Sequence, residues 1–403
     1  MTDVAVAPEI RSIVRELRNR EFPWTGATTY LNNASIGPIP ERTRLALDAF
    51  NAKRTAPHLL PDREMQAALA EARTAAARLI GAGADEIALA PNTSTGINVA
   101  ARALPLERGE IVLLSDREFP ANVYPWKNLA DRGVTAEIAP VTADGFPDEA
   151  HLLERLRDPR VRVLAVSFVQ FANGYRADLR TLSAACRANG TYLVVDAIQG
   201  LGNSPLDVRE IPMDILATGG QKWLLSPWGT GFLYVRRELI PLLGPAAVGW
   251  MAYEGTDDFT NLVKYSSTLR GDARRFEVGT FGFQDALGFS TSLGLLEGLT
   301  VDAVAAYTRA LAEPLLAWAR QHGVRIVSPT DEVHRSAIVC LAPEPAAESF
   351  RRLKHAGVVC AFREGAIRLS PHAYNTCEEI EKVIDVLDET RAGPRDSANL
   401  NRA

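Results

Sequence analysis

Between Ile87 and Val235 the chain alternates short apolar runs with stretches of helical spacing, and this alternation constrains the fold more than any other feature. The runs are Ile87 to Ala90, Ile111 to Leu114, Thr135 to Ala139, Val161 to Val169, Tyr192 to Val195, Ile215 to Thr218 and Gly231 to Val235. Several are apolar throughout, as strands covered on both faces must be, and such strands belong to a mostly parallel sheet. Helical segments at Thr95 to Leu104, Ala121 to Arg132 and Leu179 to Asn189 separate them. The expected architecture is a doubly wound α/β sheet.

The last third has another rhythm. Helical spacing runs through Ala286 to Gly298 and Asp302 to His322. Short strand candidates at Val324 to Ser328, Ala337 to Ala342, Val358 to Phe362 and Ile367 to Ser370 then alternate with helices at Ala346 to His355 and Cys377 to Arg391. This predicts a smaller α/β domain over 286–391, beside a large domain over 26–285. An amphipathic helix from Pro8 to Arg20 is expected to pack with the small domain as part of a segment 1–25. The polar tail 392–403 is expected to be disordered. A length of 403 residues suits two such units.

Charge and composition remove several function classes. A net charge of -5 with no polybasic run offers nothing for nucleic acid or an anionic membrane surface. No stretch approaches the ~20 apolar residues of a bilayer span. Charged residues stand early (Asp3, Glu9, Arg11), so no secretory signal is expected. Four scattered cysteines form no disulfide framework and the six histidines no metal spacing; a cytoplasmic protein without a metal is expected.

Four short stretches carry chemistry. Pro91-Asn92-Thr93-Ser94-Thr95-Gly96 follows a strand and opens a helix, where hydroxyls and free N–H groups suit a phosphate, although the same residues also serve as helix caps. Asp196 ends the run Tyr192 to Val195, with Gln199 three residues on. A carboxylate there can hold a proton on a ring nitrogen, or simply cap a turn. Lys222 sits in Ala217-Thr218-Gly219-Gly220-Gln221-Lys222-Trp223, an apolar setting that lowers an amine's proton affinity and makes it nucleophilic. Arg368, in the last strand candidate, presents a fork suited to a carboxylate or lies on a solvated edge. No G-x-G-x-x-G follows a first strand, which argues against a dinucleotide site.

Taken together and in this order, these pieces resemble the class V aminotransferase family of fold-type I pyridoxal-phosphate enzymes. That family includes isopenicillin N epimerase, C–S lyases and cysteine desulfurases. The likeness spans about Tyr30 to Thr390 and rests on YLNNASIGPIP, NTSTGINVAA, REFPANVYPW, VVDAIQG, ATGGQKWL with GTGFLYV, RRFEVGTFGF and IRLSPHAYNT. It implies pyridoxal 5'-phosphate as cofactor, bound covalently through Lys222, with Asp196 at the pyridine nitrogen and Gln199 at the ring oxygen. It further implies Phe119 on the cofactor face, and Thr93, Ser94, Thr218 and Gln221 around the cofactor. Thr280 falls where a homodimer would reach the neighbouring subunit's phosphate. Arg368 matches the anchor of the substrate carboxylate, with Asn33, Ala34 and His372 near the substrate.

The chain departs from the desulfurases at two places. Gly219 and Gln221 stand where those enzymes have Ser and His, and Thr218 is the residue that can replace the lost hydroxyl. Cys360 lies inside an apolar run eight positions before Arg368, as a core cysteine would and a mobile nucleophile would not. The expected reaction is β-elimination at a C–S bond of a cysteine-derived amino acid. Epimerisation, transamination or decarboxylation, and a ligand-binding protein without catalysis, are the alternatives.

Overall fold

The computed structural model of the protein describes residues 7–245 and 247–391; the expected disordered tail lies outside them. Thirteen strands follow in chain order. They are β1 (Thr29–Tyr30), β2 (Ile87–Leu89), β3 (Ile111–Ser115), β4 (Thr135–Ala139), β5 (Val161–Ser167), β6 (Tyr192–Asp196) and β7 (Ile215–Gly219). The rest are β8 (Gly231–Val235), β9 (Arg325–Ile326), β10 (Val339–Ala342), β11 (Val358–Val359), β12 (Ala361–Arg363) and β13 (Ala366–Leu369).

The large sheet has seven strands in the order β2-β8-β7-β6-β5-β3-β4. Only β8 runs against its neighbours; the β4-β3-β5-β6-β7 ladder is parallel. Every residue of β3, β7 and β8 is buried, as expected for strands covered on both faces. Helices on each side make two cores, one containing Ile97, Val112 and Leu233, the other Leu69, Leu164 and Phe289.

Two parts of this layer differ from the expectation. The segment Ala121 to Arg132 is not one helix: Pro120 and Pro125 break it into short turns, with four α-helical residues at Tyr124–Lys127. Helix Phe283–Leu299, placed by its sequence with the small domain, lies instead against helices Glu41–Arg54 and Asp62–Ile80 of the large one. Its residues are apolar on nearly all sides, so periodicity alone does not show which neighbour it covers.

The small sheet has the order β12-β13-β10-β9, with antiparallel pairing throughout. The run Val358 to Phe362, expected as one strand, splits at Cys360 into β11 and β12, which belong to different sheets. β11 pairs in parallel with β1. The chain after β1 then continues along the end of β13, where the Ser370 N–H donates to the Leu31 carbonyl at 2.8 Å and Asn33 Nδ2 to the Ser370 carbonyl at 2.8 Å. Through this seam an early segment is fixed beside the strand that carries Arg368. Helix Pro8–Glu21 adds Val14 to the small-domain core and pairs Arg18 with Glu379 at 3.0 Å.

Candidate active site

A cavity of about 320 Å³ opens where the carboxyl ends of the large sheet meet the small domain, the usual place for a ligand in an open α/β fold. Ala34, Thr93, Ser94, Phe119, Asp196, Gln199, Gln221, Lys222 and Arg368 all line it. Residues scattered over more than three hundred positions thus share one site.

One end of the cavity is a helix start. Asn92 caps helix Thr93–Ala103 by accepting the Thr95 N–H at 2.9 Å, leaving the N–H groups of the first turn around Thr93 and Ser94 without a helical partner. The Thr93 hydroxyl is buried and has no hydrogen-bond partner among the described residues. A buried hydroxyl beside free amides at the positive end of a helix is a ready anion site. Gly96 lets this helix approach the sheet: a β-carbon there would lie 2.6 Å from that of Ala217 in β7.

The middle is built on β6. Asp196, its last residue, is buried and accepts the Ile198 N–H at 3.1 Å. Burial raises its proton affinity, the negative field of Glu118 adds to this, and the Lys222 charge opposes it. Gln199 is held at both ends: Nε2 donates to the Ala34 carbonyl at 2.9 Å, and Oε1 accepts from Trp223 Nε1 at 2.9 Å. One Nε2 hydrogen remains for a ligand. Phe119 stands at the rim with its ring edge-on to Phe171.

Lys222 follows β7 on a constrained turn. The Gly37 N–H donates to the Gln221 carbonyl at 2.9 Å, and a β-carbon on Gly37 would stand 1.9 Å from the Lys222 carbonyl oxygen, so only glycine fits. Leu225 takes φ 53, a strained value for a branched side chain, and its carbonyl accepts the Ser292 hydroxyl at 2.9 Å. Helix Phe283–Leu299 therefore props the turn from behind. The Lys222 amine lies 5.7 Å from the centre of the Phe119 ring. Burial lowers its proton affinity, Asp196 opposes the change, and Arg368 and Arg363 reinforce it. A lysine in that state is a nucleophile toward a carbonyl carbon.

Arg368 closes the other end. It is buried in a central strand of the small sheet, which rules out the solvated-edge reading. Nη1 donates to the Phe171 carbonyl at 2.7 Å and Nη2 to the Ser35 hydroxyl at 2.8 Å, while Nε has no partner among the described residues. No carboxylate neutralises it there, and burial lowers its proton affinity to about 10.

Four of the expected residues do not line the cavity. Asn33 lies behind it, receiving the Tyr374 hydroxyl at 2.9 Å. Thr218 is buried in β7 with its hydroxyl turned to the Gly219 carbonyl at 3.3 Å. His372 is buried between Trp223 and Tyr374 with both ring nitrogens engaged. One approaches the Trp223 carbonyl at 3.1 Å and the other accepts the Ala373 N–H at 2.8 Å, so it cannot reach a substrate. Thr280 is exposed on the surface.

Sequence reasoning passed over Ser35, Phe171 and Glu118. The first two line the cavity and hold Arg368 through a hydroxyl and a backbone carbonyl. Glu118, immediately before Phe119 in REFPAN, is fully enclosed, and a charged residue inside a matched motif was the available signal.

The chain belongs to the family whose model, aminotransferase class-V, matches residues 29–383. An uncharacterized aminotransferase, YcbU, of Bacillus subtilis is 32% identical over 78% of this chain and 81% of its own length. Isopenicillin N epimerase of Streptomyces clavuligerus is 30% identical over 89% of this chain and 94% of its own. Among solved structures, the apo cysteine desulfurase of Thermococcus onnurineus NA1 has the same fold, with a TM-score of 0.83 at 22% identity over 94% and 98% of the two chains. The protein is a pyridoxal-phosphate-dependent enzyme of fold type I. The residues present fit that cofactor: an unpartnered hydroxyl at a helix start, a buried carboxylate and a desolvated lysine share one cavity.

Proposed function

We propose that the enzyme cleaves the C–S bond of a cysteine-derived amino acid by β-elimination. Thr93 and Ser94 would hold the cofactor phosphate, Asp196 its ring nitrogen, Gln199 its ring oxygen and Lys222 its aldehyde carbon. When bound, the cofactor supplies an electron sink that lets a bond at Cα break.

The observation that carries the reading is the set of titratable groups lining the cavity. Asp196 is committed to the ring, and two guanidiniums do not act as bases, which leaves Lys222 alone to move a proton at Cα. Epimerisation by two bases needs a second one on the opposite face, and His372, the histidine of the matched IRLSPHAYNT stretch, lies outside the cavity lining with both nitrogens occupied. β-Elimination needs one base, because a thiolate leaves with the bonding electron pair without help from an acid. Arg368 would hold the α-carboxylate in a paired, charge-assisted contact and so orient Cα toward Lys222. The sum is substrate plus water giving a thiol, pyruvate and ammonia.

Transamination also needs one base and is the second reading, in keeping with the YcbU relative's name. Incubating the cofactor-loaded enzyme with cysteine S-conjugates separates them. Elimination releases pyruvate and thiol in equal amounts with no added keto acid. Amino transfer that depends on a keto acid, or loss of chirality without release of products, overturns it.

We also propose a cytoplasmic homodimer. Exposed Trp228, Val263, Tyr265 and Val278, the last of them two residues before Thr280, are apolar surface that a partner subunit would cover. Light scattering that gives a monomer with full activity overturns the dimer. Among the described residues no helix is long and apolar enough to cross a membrane, and no group of side chains suits a metal.

A further inference from the structure

The cavity holds one more charge than that chemistry uses. Among its lining residues Asp196 is the sole carboxylate, set against Lys222, Arg368 and Arg363. With Lys222 and Asp196 given to the cofactor and Arg368 to the α-carboxylate, Arg363 is left over.

Arg363 ends β12, which pairs with β13, so both arginines reach the cavity from the small sheet. The two arginines are built differently. Arg368 is buried and clamped by a carbonyl and a hydroxyl. Arg363 is exposed, and its hydrogen bond, at 3.1 Å, is to the carbonyl of its neighbour Phe362. It forms no ion pair among the described residues, not even with the adjacent Glu364, whereas Arg335, Arg351 and Arg352 of the same domain are each paired with a glutamate. An arginine fork facing a cavity whose one carboxylate is given to the cofactor favours ligands that bring an acid, and disfavours cationic side chains.

We propose that Arg363 binds a second acid group on the substrate, so that the amino acid taken by this enzyme carries an anion beyond its sulfur atom. The inference rests on the C–S reading above. It sets the substrate class as an S-substituted cysteine whose substituent ends in a carboxylate or an equivalent anion. Rigid Arg368 then fixes the α-carboxylate while exposed Arg363 selects the far end.

The matched probes are S-carboxymethyl-L-cysteine and its uncharged amide, S-carbamoylmethyl-L-cysteine, with L-alanine as the shared α-amino-acid core. Each is titrated into the cofactor-loaded enzyme by calorimetry and by the change in cofactor absorbance. Wild type should bind the acid about 10- to 100-fold more tightly than the amide, the scale of a charge-assisted contact. Arg363→Gln should bring the acid down to the amide's affinity, and Arg363→Lys should restore part of the difference. A preference that survives Arg363→Gln, or is absent from wild type, overturns the proposal while alanine binding keeps the site reading intact. Loss of alanine binding in Arg363→Gln would make Arg363 part of the α-carboxylate clamp, and also overturns it. If alanine and both conjugates fail to perturb wild type, the reading of the site itself falls, and this proposal with it.

Discussion

Glu118 and Ser167 are locked together beneath the cofactor cavity: the carboxylate accepts both the backbone N–H of Ser167, at 2.8 Å, and its hydroxyl. Ser167 is the register partner of Asp196 across β5 and β6, so this pair lies one strand away from the proposed ring carboxylate. Gln170 Nε2 at 2.7 Å and Asn122 Nδ2 at 3.1 Å complete the shell around Glu118. Four donors from three residues converge on one side chain, and Phe119 is the next residue.

Glu118→Gln keeps the shape but turns an amide group toward other donors. Each buried donor left unpaired costs about 1–3 kcal/mol. The expected result is a lower urea midpoint together with weaker cofactor binding, because the segment that carries Phe119 loses its anchor. A variant with the wild-type midpoint and cofactor affinity would show that the shell is dispensable.

His372 gives a pH dependence with a definite sign. Burial lowers its proton affinity to about 4, only partly offset by the Trp223 carbonyl. Its folded value lies below the ordinary one near 6.5, so as pH falls the unfolded chain takes the proton first. The stability contributed by neutral His372 is complete above about 6.5 and is lost as pH falls toward about 4, by about 3 kcal/mol in all. His372→Gln, which can still donate to the Trp223 carbonyl, should lose less stability than wild type over that window. Urea midpoints that fall in parallel for both proteins would refute this.

Cys360 lies in the small-domain core, and burial pushes its thiol up to about 12, so almost no thiolate exists near neutral pH. Cys360→Ala is expected to keep turnover within about two-fold and to cost about 1 kcal/mol of stability for the vacated volume. Abolished turnover in a well-folded variant would bring back a sulfur-transfer role for this cysteine.

The inner strands of the large sheet were legible because burial on both faces leaves continuous apolar runs, and the carboxyl ends of β6 and β7 point to Asp196 and Lys222 directly. Helices Glu41–Arg54 and Asp62–Ile80 carry no comparable mark, and the position of Phe283–Leu299 depends on neighbours far away in the chain. Ser35 and Phe171 are legible only in three dimensions, since a hydroxyl and a backbone carbonyl become part of the site by facing Arg368. His372 shows the reverse case. It sits in a matched motif, yet neighbouring backbone groups take both of its nitrogens.

Arg368 allows the sharpest test of the substrate end. Its guanidinium is already oriented by Phe171 and Ser35, so a carboxylate meets a fork that need not be ordered on binding. Arg368→Lys keeps a charge but loses the paired geometry, and Arg368→Ala loses both. Neither side chain belongs to the helix start at Thr93 or to the Asp196 end, so cofactor affinity and absorbance should survive in both variants. Catalytic efficiency should fall in the order wild type, Lys, Ala, by at least ~100-fold for Ala, the scale of about 3 kcal/mol for a lost charged contact. Ser35→Ala removes one of the two orienting contacts and should fall between wild type and Arg368→Lys, mostly through KM. Near wild-type efficiency in Arg368→Ala would move the α-carboxylate to Arg363, the other guanidinium in the cavity.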